Sequence, residues 1–121
     1  MKSFLSALLL LALTACAADQ MAGTGIINGK PSEFKVRGYT ENGLVLEGWM
    51  LIVDGEELGI LRFDGQRTGR FSRQKIDYVP LNTKYGVFDA VQEVNVNIDA
   101  VTDTFTISLN GEYVATIYGR N

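Results

Sequence analysis

The sequence predicts an all-β domain, a small antiparallel β-sandwich or partly closed barrel of seven to nine short strands built from hairpins. Three observations lead to this fold class. Apolar and polar residues alternate with a period of two along much of the chain, which is typical of half-buried strands. Asn-Gly and Asp-Gly pairs separate such runs, and the thirteen glycines lie mostly between them. A sustained helical period of 3.6 residues is absent after residue 25.

The clearest strands lie near the C-terminus, where residues 92–118 are predicted to form a three-stranded meander. Residues 94–98 alternate between apolar and polar, and so do residues 104–109. Asn110-Gly111 predicts a type I′ hairpin turn, because both residues tolerate a positive φ. Residues 113–118 then return as the third strand, and residues 99–103 make the first turn of the meander.

The middle of the chain carries a second hairpin and a central strand. Asp54-Gly55 follows an apolar run much as Asn110-Gly111 does, which predicts another hairpin tip. Residues 44–53 (LVLEGWMLIV) are apolar on both faces in their second half, which favours a strand covered on both sides. Trp49 is the predicted anchor of the core.

Residues 1–15 are predicted to be a cleaved signal peptide and are left out of the fold. Lys2 supplies a positive start, and residues 4–13 form an apolar stretch that is too short for a membrane span of roughly 20 residues. This combination, followed by small residues, is typical of a secretory signal peptide.

The only cysteine, Cys16, ends the tetrapeptide LTAC at residues 13–16. This tetrapeptide resembles the lipobox of bacterial lipoproteins, in which a leucine, a small or polar residue, and an alanine or glycine precede the cysteine. The resemblance implies that the Cys16 thiol receives a diacylglycerol, that the chain is cut just before it, and that the new N-terminus is acylated. Because Ala17 rather than an aspartate follows, the resemblance also implies the outer membrane of an enteric-type envelope. An ordinary signal peptide with an incidental cysteine is the alternative.

Covalent lipid is thus the only non-protein group that we expect, and membrane lipid is the first expected partner. Two or three acyl chains make attachment effectively permanent, since each buried methylene contributes about 0.8 kcal/mol and one chain alone binds only marginally. Residues 16–25 are small, polar and glycine-containing, which predicts a flexible tether with a reach of roughly 15–20 Å. Residues 26–121 are then a single β-domain.

The residue types argue against an enzyme, and we expect no catalytic residue, no metal and no other cofactor. The chain has no histidine, and its one thiol is assigned to lipid. Glu56 and Glu57 are adjacent, so in a strand they are expected on opposite faces and not as a catalytic pair. Asp99 and Asp103 flank a turn, where they could hold calcium weakly or simply form local hydrogen bonds to the backbone.

A cationic segment, residues 62–75, is the candidate binding site. It holds five cations and one anion, whereas the predicted mature chain from residue 16 holds ten cations and fourteen anions, so the rest carries a net charge of −8. Arginine side chains suit phosphate and carboxylate groups, such as those of lipid head groups or an acidic protein. The alternative is a solvated hairpin whose cations pair with nearby acids. The candidate patch consists of Arg62, Arg67, Arg70, Arg73 and Lys75.

These observations favour a membrane-anchored, non-enzymatic envelope lipoprotein that binds another envelope protein or glycan or helps to organise an assembly. A periplasmic inhibitor or protective protein, such as a lysozyme inhibitor, is the alternative, since an acidic domain would attract a cationic enzyme. An enzyme that acts on envelope polysaccharide through two converging carboxylates is a third possibility. Nucleic acid is not an expected partner of an acidic, exported domain.

Overall fold

A computed structural model describes the backbone of residues 20–70 and 72–120, and the side chains of these residues except 66–68, 70 and 120. The predicted signal peptide, the lipobox and Cys16 lie outside the described residues. Nine strands follow one another along the described chain, and no helix among these residues is long and apolar enough to cross a membrane. The strands are β1 (Gln20–Ile27), β2 (Lys30–Tyr39), β3 (Gly48–Val53), β4 (Glu56–Arg70), β5 (Arg73–Tyr78), β6 (Leu81–Thr83), β7 (Gly86–Val96), β8 (Val101–Leu109) and β9 (Glu112–Arg120).

Eight of the strands form a closed antiparallel barrel in which each strand pairs with the next one along the chain. The order is β1-β2-β3-β4-β5-β7-β8-β9, and pairing of β9 with β1 and of β5 with β7 closes the ring. The short strand β6 pairs with β7 alone. The all-β class, the antiparallel hairpins and the strand number are therefore confirmed, and the sheet is a barrel that closes on itself.

Strand β1 corrects the predicted tether. Residues 20–25 pair with β2 and β9, although the sequence assigns them to a flexible segment. Their glycines are the reason for the error, because they allow a close approach between strands instead of flexibility. A Cβ at Gly23 would lie 2.5 Å from the Thr116 carbonyl oxygen, and a Cβ at Gly25 would collide with the Val114 carbonyl oxygen and lie 2.9 Å from Phe34 Cε1.

Large apolar side chains fill the barrel interior, as expected for eight strands. Phe105 lies at the centre, with its ring centroid 5.3 Å from Trp49 and 5.9 Å from Tyr78, which confirms Trp49 as a core anchor. Phe34 packs edge-on against Phe88. The largest fully buried side chains are Phe34, Phe88, Phe105, Leu51, Leu61, Ile107, Ile117, Val36 and Val53.

The predicted central strand is shorter than residues 44–53. Strand β3 begins at Gly48, and residues 51–53 are all buried, as the apolar run on both faces predicts. Residues 44–46 are exposed in the preceding loop, which corrects the assignment of these residues to the strand. Register shifts between β3 and β4, β4 and β5, and β8 and β9 bend the sheet at the points where it curves into a barrel.

The two ends of the barrel differ. At one end, which we call the tight-turn end, Asn28-Gly29, Asp54-Gly55 and Asn110-Gly111 each join two strands with both residues at positive φ. These are type I′ turns, and the predictions at Asp54-Gly55 and Asn110-Gly111 are confirmed. The opposite end, which we call the loop end, carries the start of β1, the loop at 40–47, the β4–β5 hairpin and the turn at 97–100. The first turn of the predicted meander is therefore 97–100, not 99–103.

Candidate functional site at the loop end of the barrel

The loop at 40–47 projects apolar side chains from one side of the loop end. Hydrogen bonds within the loop hold its shape, since the Gly43 amide donates to Thr40 Oγ1 at 3.0 Å and the Leu44 amide donates to Asn42 Oδ1 at 2.9 Å. The Glu47 amide closes the loop on the Tyr39 carbonyl at 2.8 Å. Leu44 is 85% exposed in this arrangement. Hydrogen bonds within the loop therefore hold the Leu44 side chain in an exposed position.

The turn at 97–100 projects a second apolar side chain. The Asn97 amide donates to the Ala100 carbonyl at 2.8 Å, and Ile98 at the tip is 99% exposed. The turn lies beside the tip of the β4–β5 hairpin, because the Val96 amide donates to the Ser72 carbonyl at 2.9 Å. Apolar and cationic segments are thus neighbours at this end.

The β4–β5 hairpin divides the candidate patch into two parts. Arg73 and Lys75 are exposed on the same face of β5, and the backbones of Arg70 and Arg67 pair with Arg73 and Ile76. Arg62 lies across from Val79, whose amide donates to the Arg62 carbonyl at 2.8 Å, and is therefore four residues, or about 13 Å, beyond Lys75 along this pair of strands. Its guanidinium stands 5.7 Å from the Tyr39 ring centroid. The hairpin tip is therefore the cationic site, and Arg62 is separate from it.

The alternative to a binding site is a hairpin whose cations pair with nearby acids, and the residues across from the hairpin bear on it. Glu93 on β7 lies directly across from Lys75, where opposite charges attract modestly. Asn95, an uncharged residue, lies across from Arg73. The two ion pairs found within the described part of the chain, Arg37–Glu57 and Lys84–Glu56, do not involve Arg62, Arg73 or Lys75. The side chains of Arg67 and Arg70 lie outside the described residues. Lys75 is thus opposed by one acid, and Arg73 has a neutral neighbour across the sheet.

A polar chain also lies inside the barrel, towards the loop end. Tyr78 Oη donates to Gln92 Oε1 at 2.5 Å, and Gln92 Nε2 donates to Asp103 Oδ1 at 2.9 Å. Burial raises the pKa of the Asp103 carboxyl, and the hydrogen bond from Gln92 opposes this rise in part. Trp49 Nε1 is buried with no hydrogen-bond partner among residues 20–70 and 72–120. Sequence reasoning missed this chain, although Gln92 follows Phe88 and Ala90 in the inward period of β7.

Within the described residues, the carboxylates that the sequence singled out do not converge on one point. Glu56 Oε1 pairs with Lys84 Nζ at 2.6 Å, and Glu57 Oε2 pairs with Arg37 Nη2 at 2.8 Å. Both glutamates are exposed, and they pair in consecutive register with Val53 and Ile52, so they lie on opposite faces of β4, as their adjacency predicts. Asp103 faces Gln92 inside the barrel, whereas Asp99 is exposed in the turn. Within residues 20–70 and 72–120, no group of three or more metal-ligating side chains occurs.

The tight-turn end offers a groove of about 390 Å³ as a second surface. Ile26 and Tyr113 line it and are more than half exposed, and Tyr85 and Leu109 form its wall. Glu112 adds a carboxylate to this groove. Its shallow form and single charge make it less distinctive than the loop end.

The chain matches no known protein-family model, and no curated protein and no solved structure is detectably similar to it. The case for its function therefore rests on the residues and geometry of this chain.

Proposed function

We propose that the chain is a bacterial envelope lipoprotein, a non-enzymatic binding or structural module that Cys16 anchors in the outer membrane. The observation that carries the proposal is the position of β1. Strand β1 starts at Gln20, at the loop end, and only four residue steps separate Gln20 from Cys16. An extended chain of this length spans at most about 14 Å. Acylation of Cys16 would therefore hold the loop end close to the bilayer.

The rest of the described barrel supports a non-enzymatic role. Its interior is filled with large apolar side chains, and the exposed Glu56 and Glu57 pair with different cations. Asp103 is the carboxylate that faces Gln92 inside the barrel, where burial raises its pKa. These features suit a stable scaffold that presents its ends to partners.

The experiment is to determine the mature N-terminus and its modification in the native host, by membrane fractionation, labelling with a palmitate analogue and mass spectrometry. The expected result is an acylated N-terminal Cys16 in the outer-membrane fraction. Cys16→Ser should lose the label and should no longer be recovered in the outer-membrane fraction. Ala17→Asp keeps the lipid but should move the protein to the inner membrane in an enteric-type host. A mature chain that begins elsewhere, or that carries no lipid, would refute the proposal.

An inhibitor of a cationic hydrolase such as lysozyme is a second candidate, and one observation favours it. Exposed acids gather at the tight-turn end, which would face away from the bilayer. Glu33 and Asp54 lie together there, since the Glu33 amide donates to Asp54 Oδ1 at 2.8 Å, and Glu112 lies beside the groove. Negative charge at this end would steer a cationic enzyme towards it. Lysozyme activity that is unchanged by excess barrel would eliminate this candidate.

A further inference from the structure

We propose that the loop end is itself a membrane-docking surface, in which Leu44 and Ile98 enter the head-group region of an anionic bilayer and Arg73 and Lys75 bind lipid phosphates. This inference deepens the proposed function and rests on it, because the anchor at Cys16 brings the surface to the membrane. The occupant is the bilayer surface, and four features of the described residues favour it.

The first feature is the placement of exposed apolar side chains. Leu44 and Ile98 are 85% and 99% exposed, and both lie at the tips of segments at the loop end. Backbone amides hold these tips in place, since they donate to side-chain oxygens within 40–47 and to a backbone carbonyl within 97–100. Leu44 is followed by Val45 and Leu46, which are 61% and 37% exposed, so the 40–47 loop presents a contiguous apolar patch of the kind that marks a protein or membrane contact.

The second feature is the order of the segments around the rim. In the ring of eight strands, the loop between β2 and β3 and the turn between β7 and β8 are four strands apart, and therefore on opposite sides of the barrel. The β4–β5 hairpin lies midway between them, and the start of β1 lies on the side opposite the hairpin. A partner that meets all of these segments at once must be broad and flat. A bilayer has this shape, whereas a peptide or a small ligand does not.

The third feature is charge. Residues 65–76 hold four cations and no anion, in a chain whose formal net charge is −3. Arg73 and Lys75 extend from one face of β5 at the hairpin tip, next to the turn that carries Ile98. Cations beside an apolar tip match the layers of an anionic bilayer, in which phosphates lie just above the acyl chains. This match belongs to the hairpin side of the rim, because the loop that carries Leu44 holds Glu41 and Glu47.

The fourth feature is proximity. An extended chain from Cys16 to Gln20 spans at most about 14 Å, so an acylated Cys16 would keep the barrel within head-group distance. A tether this short gives the surface a high effective concentration of lipid, so that weak contacts become occupied. An acidic protein would have to enter the same narrow space.

The first experiment measures depth in the bilayer with the acylated full chain in vesicles that contain anionic lipid. Acylation of Cys16 leaves the chain without a free thiol, so one added cysteine can carry a fluorophore at a unique position. Labels at Ile98→Cys and Leu44→Cys should be quenched by lipids brominated along their acyl chains, whereas a label at Glu112→Cys at the tight-turn end should not. The mass of the N-terminal peptide is read from the same samples.

The second experiment measures partitioning of the predicted mature chain, residues 16–121, with Cys16→Ser into anionic vesicles at low salt. Arg73→Gln with Lys75→Gln should lower the partition coefficient about 25-fold, about fivefold for each cation. Lys30→Gln with Lys35→Gln removes the same charge away from the loop end and should leave the coefficient within about twofold. Ile98→Ser should lower it about tenfold, and the matched change Ile26→Ser at the tight-turn end should not.

The outcomes separate the two proposals. Equal, weak quenching at positions 98, 44 and 112 in a chain with acylated Cys16 would overturn the docking surface and leave the lipoprotein intact. Depth quenching at 98 in a chain whose native form carries no lipid would support the surface and refute the anchor. A photo-crosslinker at position 98 that captures an acidic protein in cells, together with no quenching by lipid, would assign the surface to that protein and overturn the inference.

Discussion

Replacing Gly25 with alanine tests whether β1 closes the barrel or belongs to a tether. The new methyl group would meet the Val114 carbonyl oxygen, and it would also lie 2.7 Å from Ala115 Cβ and 2.9 Å from Phe34 Cε1. Overpacking typically costs 1–3 kcal/mol. Because a backbone carbonyl of β9 must move here, we expect about 2–3 kcal/mol, near the top of that range. For a domain of this size, the melting temperature should fall by roughly 10–20 °C.

The assay is thermal and urea unfolding of the full chain followed by circular dichroism, with Thr24→Ala as the matched control. Thr24 is the exposed neighbour of Gly25 on the same strand, so its truncation should change the free energy of unfolding by no more than about 0.5 kcal/mol. In a flexible tether, both substitutions would be nearly neutral. Equal and small effects at positions 24 and 25 would therefore refute the placement of β1 in the sheet.

Three further predictions concern the core, the buried acid and a turn. Phe105→Ala should lower the free energy of unfolding by about 3–5 kcal/mol in urea titrations, because it leaves a cavity between Trp49 and Tyr78; a loss below 1 kcal/mol would contradict a filled interior. The raised pKa of Asp103 means that the folded state binds its proton more tightly than the unfolded state, so this group's contribution to stability falls as pH rises from about 4 through the folded pKa. Asp103→Asn should therefore be more stable than the native chain at pH 7, with the difference shrinking towards pH 4, whereas a difference independent of pH would contradict the burial argument. Gly111→Ala should cost about 1–2 kcal/mol, because the φ of Gly111 is 86° and strain is the only penalty where no atom lies within 4 Å; hydrogen exchange at the β8–β9 turn would report a local effect.

The parts of the fold that the sequence predicts well are those encoded by adjacent residues. Asn110-Gly111 and Asp54-Gly55 specify their turns locally, because a positive φ is tolerated by few residue types. Closure of the barrel is different, since it depends on pairing between β1 and β9, which lie far apart in sequence. Gly25 illustrates the difficulty. From the sequence alone, a glycine in a flexible linker cannot be distinguished from a glycine that packs against a carbonyl of a neighbouring strand.

The candidate site was likewise predictable from the sequence only in part. The excess of cations in 62–75 is visible in the sequence, but the length of β4 separates Arg62 from Arg73 and Lys75. Leu44 belongs to an apolar run that indicates a buried strand, and its exposure follows from hydrogen bonds inside the 40–47 loop. The sequence contains the residues of the loop end, whereas their arrangement around one rim is a product of the closed topology.

Closure of the ring also bears on how many copies can crowd together on a surface. Open sheets recruit one another through unpaired backbone groups at their borders, which is a common route to aggregation. Each of the eight ring strands has a partner on both sides, and β6, which pairs on one side only, is three residues long. These molecules should therefore remain monodisperse at high surface density, because the described barrel offers almost no unpaired strand edge to which another copy could add.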